Sequence, residues 1–350
     1  MMKTVSYLVL LCCLVAGNAL AGTPNAVIFM YHHFGEEKHP STNIRLEQFD
    51  AHLGYLQTAG YQILPLEEIV QAIRGRKPLP ERTAAITIDD AYISVYRNAY
   101  PRLKRLGWPF TVFVATDPVD RQLPAFMSWE QMREMQAHGA RFANHSSSHG
   151  YLIRREAGET DSQWRERVRQ DILKARGRLR DELDTHSTLF AYPYGEYNRA
   201  LAEIIEELGL TAFGQQSGAA GPYSDPRALP RFPMAEKFAG LDQFRIKAAS
   251  LALPVTEVNP WDPELQDNTP PAMVVTLAPS DANLERLQCF ASGGAVMAPT
   301  WLGMDPPRFR VTARAPLPRG RSRYNCTAPS SRNDRFYWFS HLWIAPRPHR

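Results

Sequence analysis

The chain has 350 residues, 44% apolar and 22% charged, a composition that excludes general disorder and a fibrous repeat. Its formal charge of +4 is too small for nucleic acid as the main partner, which calls for a concentrated basic surface. The length suits one large domain, or one domain with a small companion.

Lys3 precedes an apolar run from Tyr7 to Ala16, and Asn18-Ala19-Leu20-Ala21 supplies small residues at a cleavage-site spacing. Residues 1–21 are therefore expected to be a secretory signal, and the mature protein to be periplasmic or secreted. The run is too short to span a bilayer, and no later stretch reaches ~18 apolar residues, so no transmembrane segment is expected after cleavage. The mature chain keeps Cys289 and Cys326, 37 positions apart. In an oxidising compartment these two are expected to pair, the alternative being two free thiols.

Short apolar runs then alternate with helical patterns. Ala26 to Tyr31 reads as a buried strand that stops at His32-His33. Leu46 to Ala59 has helical periodicity, and Thr83 to Ile88 is a second buried strand, ending at Asp89-Asp90. A helix over Ala99 to Leu106 leads to a strand over Phe110 to Ala115, and a helix over Trp129 to His138 leads to a strand over Arg141 to Asn144. That strand runs into His145-Ser-Ser-Ser-His149. Gln163 to Leu183 is a long charged helix. Thr188 to Tyr192 is a strand ending at Pro193-Tyr194-Gly195, and Arg199 to Leu208 is a helix before a strand at Thr211. Alternation of this kind predicts an α/β fold with a parallel sheet, open or closed as a barrel, over residues 22–250. The polar clusters fall where strands end, which is where such folds build their sites.

After about residue 250 prolines are dense, helical periodicity is lost, and short runs at Ala272 to Leu277, Phe309 to Ala313 and Phe336 to Phe339 look like strands. Residues 251–350 are expected to be a small β-rich basic domain. From Pro306 to the end there are ten arginines and one acidic residue, Asp334. Aromatic residues among them (Tyr324, Phe336, Tyr337, Trp338, Phe339, Trp343) suit either a hydrophobic core or contact with an anionic glycan or envelope surface, and the core is the expected use.

His145 and His149 would lie about 13 Å apart on a straight strand, at ~3.3 Å per residue, so sharing one ion requires the serines between them to curl. A carboxylate from Asp89-Asp90 would complete a three-donor site with a position left for water. Neighbours at a strand end point to opposite sides, so one aspartate is expected to meet the metal and the other to stand beside the water as a base. Zn²⁺ is the expected ion, with Co²⁺, Ni²⁺ or Fe²⁺ as substitutes.

These residues resemble the polysaccharide deacetylase family, carbohydrate esterase family 4. Thr87-Ile88-Asp89-Asp90-Ala91 is similar to its first motif, His145-Ser146-Ser147-Ser148-His149 to its second, and Ala191-Tyr192-Pro193-Tyr194-Gly195 to its third. The resemblance covers about residues 26 to 245. It implies a distorted (β/α) barrel and a metal-dependent hydrolase that releases acetate from an N-acetylglucosamine polysaccharide. It also implies Asp89 as general base, Asp90, His145 and His149 as metal ligands, and the Tyr194 N–H as an oxyanion donor. Two departures stand out. The glycine after the aspartates is Ala91, expected to narrow the turn slightly. The third-motif arginine is Ala191, so Arg231 is the candidate to supply the missing charge beside the base. Tyr31-His32 resembles the subgroup that includes poly-N-acetylglucosamine deacetylases, which makes His32 the expected acid. His33 should point away, and His341, in a late Leu-x-His-like setting, is the rival. An O-acetyl esterase or other amidase on the same scaffold, and a glycan-binding protein without activity, are the alternative readings.

Overall fold

The computed structural model describes residues 24–267 and 269–345. The expected signal segment lies outside the described residues. Six parallel strands stand side by side in the order Ala26–Tyr31, Thr83–Asp89, Phe110–Val114, Ala140–Asn144, Leu189–Ala191 and Thr211–Phe213. These are the predicted strands, with ends shifted by a residue or so. Most are buried on both faces, which is why their sequences are continuous apolar runs rather than alternating ones.

The sheet curls until its two edges are joined by a single segment. Leu229 exchanges backbone hydrogen bonds with the Thr211–Phe213 edge: its N–H donates to Ala212 O and its O accepts from Gly214 N. Three residues later Phe232–Pro233 pairs in parallel with Phe29 and Met30 of the first strand. Residues 229–234 thus close a distorted barrel, and Arg231 sits between the two attachments. One apolar cluster (Ala26, Ile28, Ala85, Phe113, Phe213) includes Leu66, Ile69 and Ile73 of the Leu66–Arg74 helix. A second joins the alternate residues Val27, Phe29, Ile86, Ile88 and Val112 to other helices, including Leu241–Ala248 through Phe244. The Leu66–Arg74 and Leu241–Ala248 helices had no counterpart in the sequence reading.

Beyond residue 250 two antiparallel sheets face each other. One contains Gln288–Ala291, Gly320–Pro329 and Phe336–Ala345; the other contains Val255–Asn259, Ala272–Leu277, Pro307–Thr312 and Thr300–Met304. Met273, Val275, Phe309, Val311, Tyr324 and Trp343 fill the space between them. Most of the C-terminal aromatics are therefore core or contact residues: Tyr324 and Trp343 are fully buried, and Trp338 packs edge-on against Phe232 of the barrel at 5.2 Å. Phe336 remains exposed. Cys289 and Cys326 face each other across neighbouring strands and form the expected disulfide. The opposite face of the Phe336–Ala345 strand packs Leu342 and Ile344 against Tyr192, Tyr197 and Leu201 of the barrel. No helix among the described residues is long and apolar enough to cross a membrane.

Candidate active site and metal centre

Asp89 and Asp90 leave the end of their strand in different directions, as their adjacency requires. Asp89 is fully buried and is gripped through both oxygens by Arg231, with Nη1 donating to Oδ1 at 2.7 Å and Nη2 to Oδ2 at 2.8 Å. Arg231 is itself 0% exposed, and donates further to Thr87 Oγ1 and to the Gly214 carbonyl. The planar fork of a guanidinium matches a carboxylate in this way, whereas an ammonium would not. Burial alone would push the Asp89 carboxyl up, but Arg231, with His145 and His32, outweighs it and holds the group below the usual carboxylate range. The charge absent at Ala191 is thus supplied from the segment that closes the barrel.

Asp90 faces the two histidines. Its Oδ1 lies 3.2 Å from His145 Nε2 and 2.9 Å from His149 Nε2, and the three donor atoms fall within 4.8 Å of one another. The curl between the histidines is built by hydrogen bonds. Asn144 Oδ1 accepts from Ser146 N and Ser146 Oγ accepts from His149 N. Asp171, on the Asp161–Leu183 helix, accepts from Ser147 N and Ser148 N, and Asp117 accepts from Ser147 Oγ. Asp117 and Asp171 were not singled out from the sequence, because nothing in their local pattern separates them from surface charges of a helical face.

These three side chains fit a divalent cation. His145 Nδ1 is 2.7 Å from the Ala191 carbonyl, so Nδ1 carries the hydrogen and, in the neutral ring, Nε2 presents a lone pair to Asp90. The buried Asp90 Oδ1 has no hydrogen-bond donor. An acceptor opposing acceptors is stable only with positive charge between them. Protonating both rings would put two cations 4.9 Å apart, centroid to centroid, whereas one ion satisfies all three. Without an ion, burial would lower the His145 pKa, but the adjacent Asp90 and Asp89 carboxylates turn the shift upward.

His32 Nε2 is 3.9 Å from Asp89 Oδ2. Burial lowers its pKa, an effect only partly opposed by Asp89 and Asp90. His33 turns away, as expected. It bonds to Glu36 and stacks on Tyr92 at 3.7 Å. His341 is buried in the β sandwich, edge-on to Trp343 at 4.6 Å. Of the two rivals for the acid, the structure brings His32 to Asp89 and packs His341 in the sandwich. Tyr92, also missed in the sequence, lies close to Asp90, and burial together with that carboxylate raises its pKa. On the other side Tyr194 stands edge-on to His149 at 4.7 Å and is stacked on Tyr151 at 4.0 Å.

The backbone here is unusual. Asp90, Ala91, Ser146, His149 and Tyr194 all have positive φ, between 53° and 75°. Left-handed conformations of non-glycine residues concentrate where a site over-determines them. For Ala91 this corrects the expectation of a narrowed turn: with φ 58°, the methyl group costs conformational strain rather than space. In the third-motif turn Gly195 N donates to Tyr192 O and Glu196 N to Pro193 O.

Residues 76–213 match the family model described as polysaccharide deacetylase. The poly-β-1,6-N-acetyl-D-glucosamine N-deacetylase of Escherichia coli (strain K12) is 28% identical over 227 residues, which cover 55% of this chain and 34% of that protein. A putative polysaccharide deacetylase of Bacillus subtilis, YxkH, is 29% identical over 216 residues, covering 61% of this chain and 72% of the relative. The chain thus spans about a third of the length of the Escherichia coli protein. Among solved structures, IcaB from Ammonifex degensii superposes with a TM-score of 0.57 at 25% identity, covering 65% of this chain and 97% of that one. The Streptococcus pyogenes deacetylase PplD, in complex with acetate, gives 0.58 at 22% identity, covering 64% and 98%.

Proposed function

We propose that this chain, which carries a polysaccharide deacetylase domain over residues 76–213, is an exported, metal-dependent hydrolase that removes N-acetyl groups from a poly-N-acetylglucosamine glycan. The observation that carries this reading is the convergence of Asp90, His145 and His149 next to an Asp89 kept ionised by a buried arginine. The named substrate of the Escherichia coli relative makes a β-1,6-linked N-acetylglucosamine polymer the first candidate.

A divalent ion, with Zn²⁺ first, held by Asp90, His145 and His149 would supply Lewis acidity for the acetyl carbonyl and for a water molecule. The chain's own groups do the rest. Asp89, ionised and oriented by Arg231, accepts a proton from the attacking water. The Tyr194 N–H faces the developing oxyanion, a kind of contact worth ~10²–10³ in rate. His32 is neutral at rest because it is buried. It gains its proton from the Asp89 side during turnover and gives it to the leaving nitrogen, which departs poorly as an amide anion. The products are acetate and a glucosamine unit. Arg308 and Arg310, exposed on the sandwich, are the residues with which the basic C-terminal region would meet an anionic envelope glycan.

The test is acetate release from β-1,6-linked N-acetylglucosamine oligomers by metal-loaded protein. Thorough chelation should abolish release, Zn²⁺ should restore it, and Asp90→Asn should bind the ion weakly. Activity that survives metal removal would reject the mechanism. Release from O-acetylated glycans alone would favour the esterase reading, and oligomer binding without any release the non-catalytic one.

A further inference from the structure

We infer that Arg321, a residue of the β sandwich rather than of the barrel, is a positioning residue for the Pro193-Tyr194-Gly195 turn. The inference rests on the deacetylase reading, in which that turn carries the oxyanion donor. Arg321 lies on the Gly320–Pro329 strand and crosses to the barrel, where Nη1 donates to the Tyr194 carbonyl. The same nitrogen is 3.2 Å from Gln215 Oε1, and Nε is 3.7 Å from the buried Glu196 carboxylate. One guanidinium therefore joins three points around a single turn, and it is the sandwich's side-chain contact to the turn's own carbonyl.

The turn needs such a tie. Tyr194 has φ 60° and ψ 2°, and Gly195 has φ 68°, so two successive residues are left-handed. Glycine tolerates this, but a tyrosine favours negative φ. Gln215 presses on the turn from one side: a Cβ added at Gly195 would sit 2.5 Å from its side chain. Arg321 holds the Tyr194 carbonyl and contacts Gln215 as well. The peptide plane that bears this carbonyl and the plane that bears the Tyr194 N–H meet at the Tyr194 Cα. Fixing the first therefore limits rotation of the second, and with it the aim of the N–H. Without Arg321 the tyrosine is free to relax toward negative φ and swing that N–H away.

The rest of the segment is held independently. Leu342 and Ile344 pack on Tyr192 and Tyr197, Asn198 donates to Glu264, and Arg199 N donates to Asp262. Loss of Arg321 should therefore loosen the turn while leaving the barrel and the sandwich joined. In this arrangement the sandwich is a working part of the site and not only a companion to the barrel.

The experiment compares Arg321→Ala, Arg321→Lys and the exposed control Arg105→Ala in the full chain, measuring kcat, KM, Tm and zinc content. For Arg321→Ala we expect kcat to fall ~10-fold, short of the ~10²–10³ for complete loss of an oxyanion donor. KM, Tm and zinc content should match wild type. Arg321→Lys should recover part of the rate, since one ammonium cannot span the carbonyl, Gln215 and Glu196 together. Millimolar guanidinium, but not ammonium, should raise the kcat of Arg321→Ala. An unchanged kcat, a rise in KM alone, or a loss that tracks Tm or zinc content would overturn the assignment. A wild-type protein that binds metal but releases no acetate from any acetylated glycan would instead sink the deacetylase reading beneath it.

Discussion

Replacing Arg231 by methionine tests the electrostatic centre of the site. The substitution keeps much of the stem's volume but removes the guanidinium from a carboxylate that is fully buried and, among the described residues, accepts from no other cationic side chain at hydrogen-bond distance. Breaking a buried pair by deleting one partner costs about 3–5 kcal/mol, because the remaining charge is stranded. At ~2–4 °C per kcal/mol for a chain of a few hundred residues, the melting temperature should drop by ~6 °C or more at neutral pH. The pH dependence carries more information than the size of the drop. In the native protein the Asp89 carboxyl is held below its ordinary value, so its ionised form adds stability above the unfolded-chain pKa. That stability is lost as pH falls through the lowered folded value. In Arg231→Met burial is no longer overcome and the folded pKa rises. The deficit should then grow as pH climbs from the unfolded to the raised value, and should be smallest in acid. Because the base must be ionised, the acid limb of the kcat/KM profile should move to higher pH. Thermal melts across pH 4–8 and acetate release over the same range measure both effects. Adding Asp89→Asn to the variant should return most of the stability and none of the activity. An Arg231→Met protein with native melting and an unmoved acid limb would refute the claim that this pair keeps Asp89 charged.

Two further outcomes follow from buried groups. His52 is bonded by Nε2 to the Ala239 carbonyl and by Nδ1 to the Tyr31 hydroxyl, and lies flat on Phe244 at 3.8 Å; burial lowers its pKa to about 4. The native ring stays neutral while the unfolded one takes a proton below about 6.5, so stability should fall by on the order of 3 kcal/mol between those values. Denaturant titrations should show a shallower slope in His52→Phe than in wild type, by about this contribution, because other buried histidines keep theirs; equal slopes would exclude His52 as a source. Ala91→Gly should stabilise the protein by about 1 kcal/mol, because glycine relieves the left-handed strain at φ 58° and gives back only part of the gain in backbone entropy. A lower denaturation midpoint in that variant would contradict the assigned strain.

Much of the barrel is legible in the chain because its signals are local. Fully buried parallel strands have to be apolar on both faces, so Ala26–Tyr31 and Phe110–Val114 stand out against polar flanks, and chemistry gathers at their ends. The Asp-Asp pair and the two histidines are legible for the same reason. The Leu66–Arg74 helix is nine residues long and begins after Pro65; its Leu66, Ile69, Val70 and Ile73 have helical spacing, but over little more than two turns. The closing segment is one bonded residue on one edge and two on the other, too short to look like a strand at all. Asp117, Asp171 and Arg321 escape for another reason. Each acts on a loop far away in sequence, and only the packing of the Asp161–Leu183 helix and of the sandwich against the barrel gives them their roles.

The position of Arg231 ties catalysis to the integrity of the fold. An arginine in the third motif would approach Asp89 from a strand inside the sheet. Here that position is Ala191, buried in the Ala-rich cluster, with its carbonyl already used to orient His145. The guanidinium comes instead from a stretch that touches both sheet edges, and it lies over the ring of Phe113 on its way to the carboxylate. Closing the barrel and charging the base are therefore one event. When residues 229–234 are seated, their backbone bonds join the edges and Asp89 acquires its counter-ion. If they come away, those bonds are lost and the carboxyl is left in an apolar interior that favours its protonated form. On the proposed mechanism, a chain in which this segment is unseated would also lack an ionised base, which would confine hydrolysis to the assembled fold.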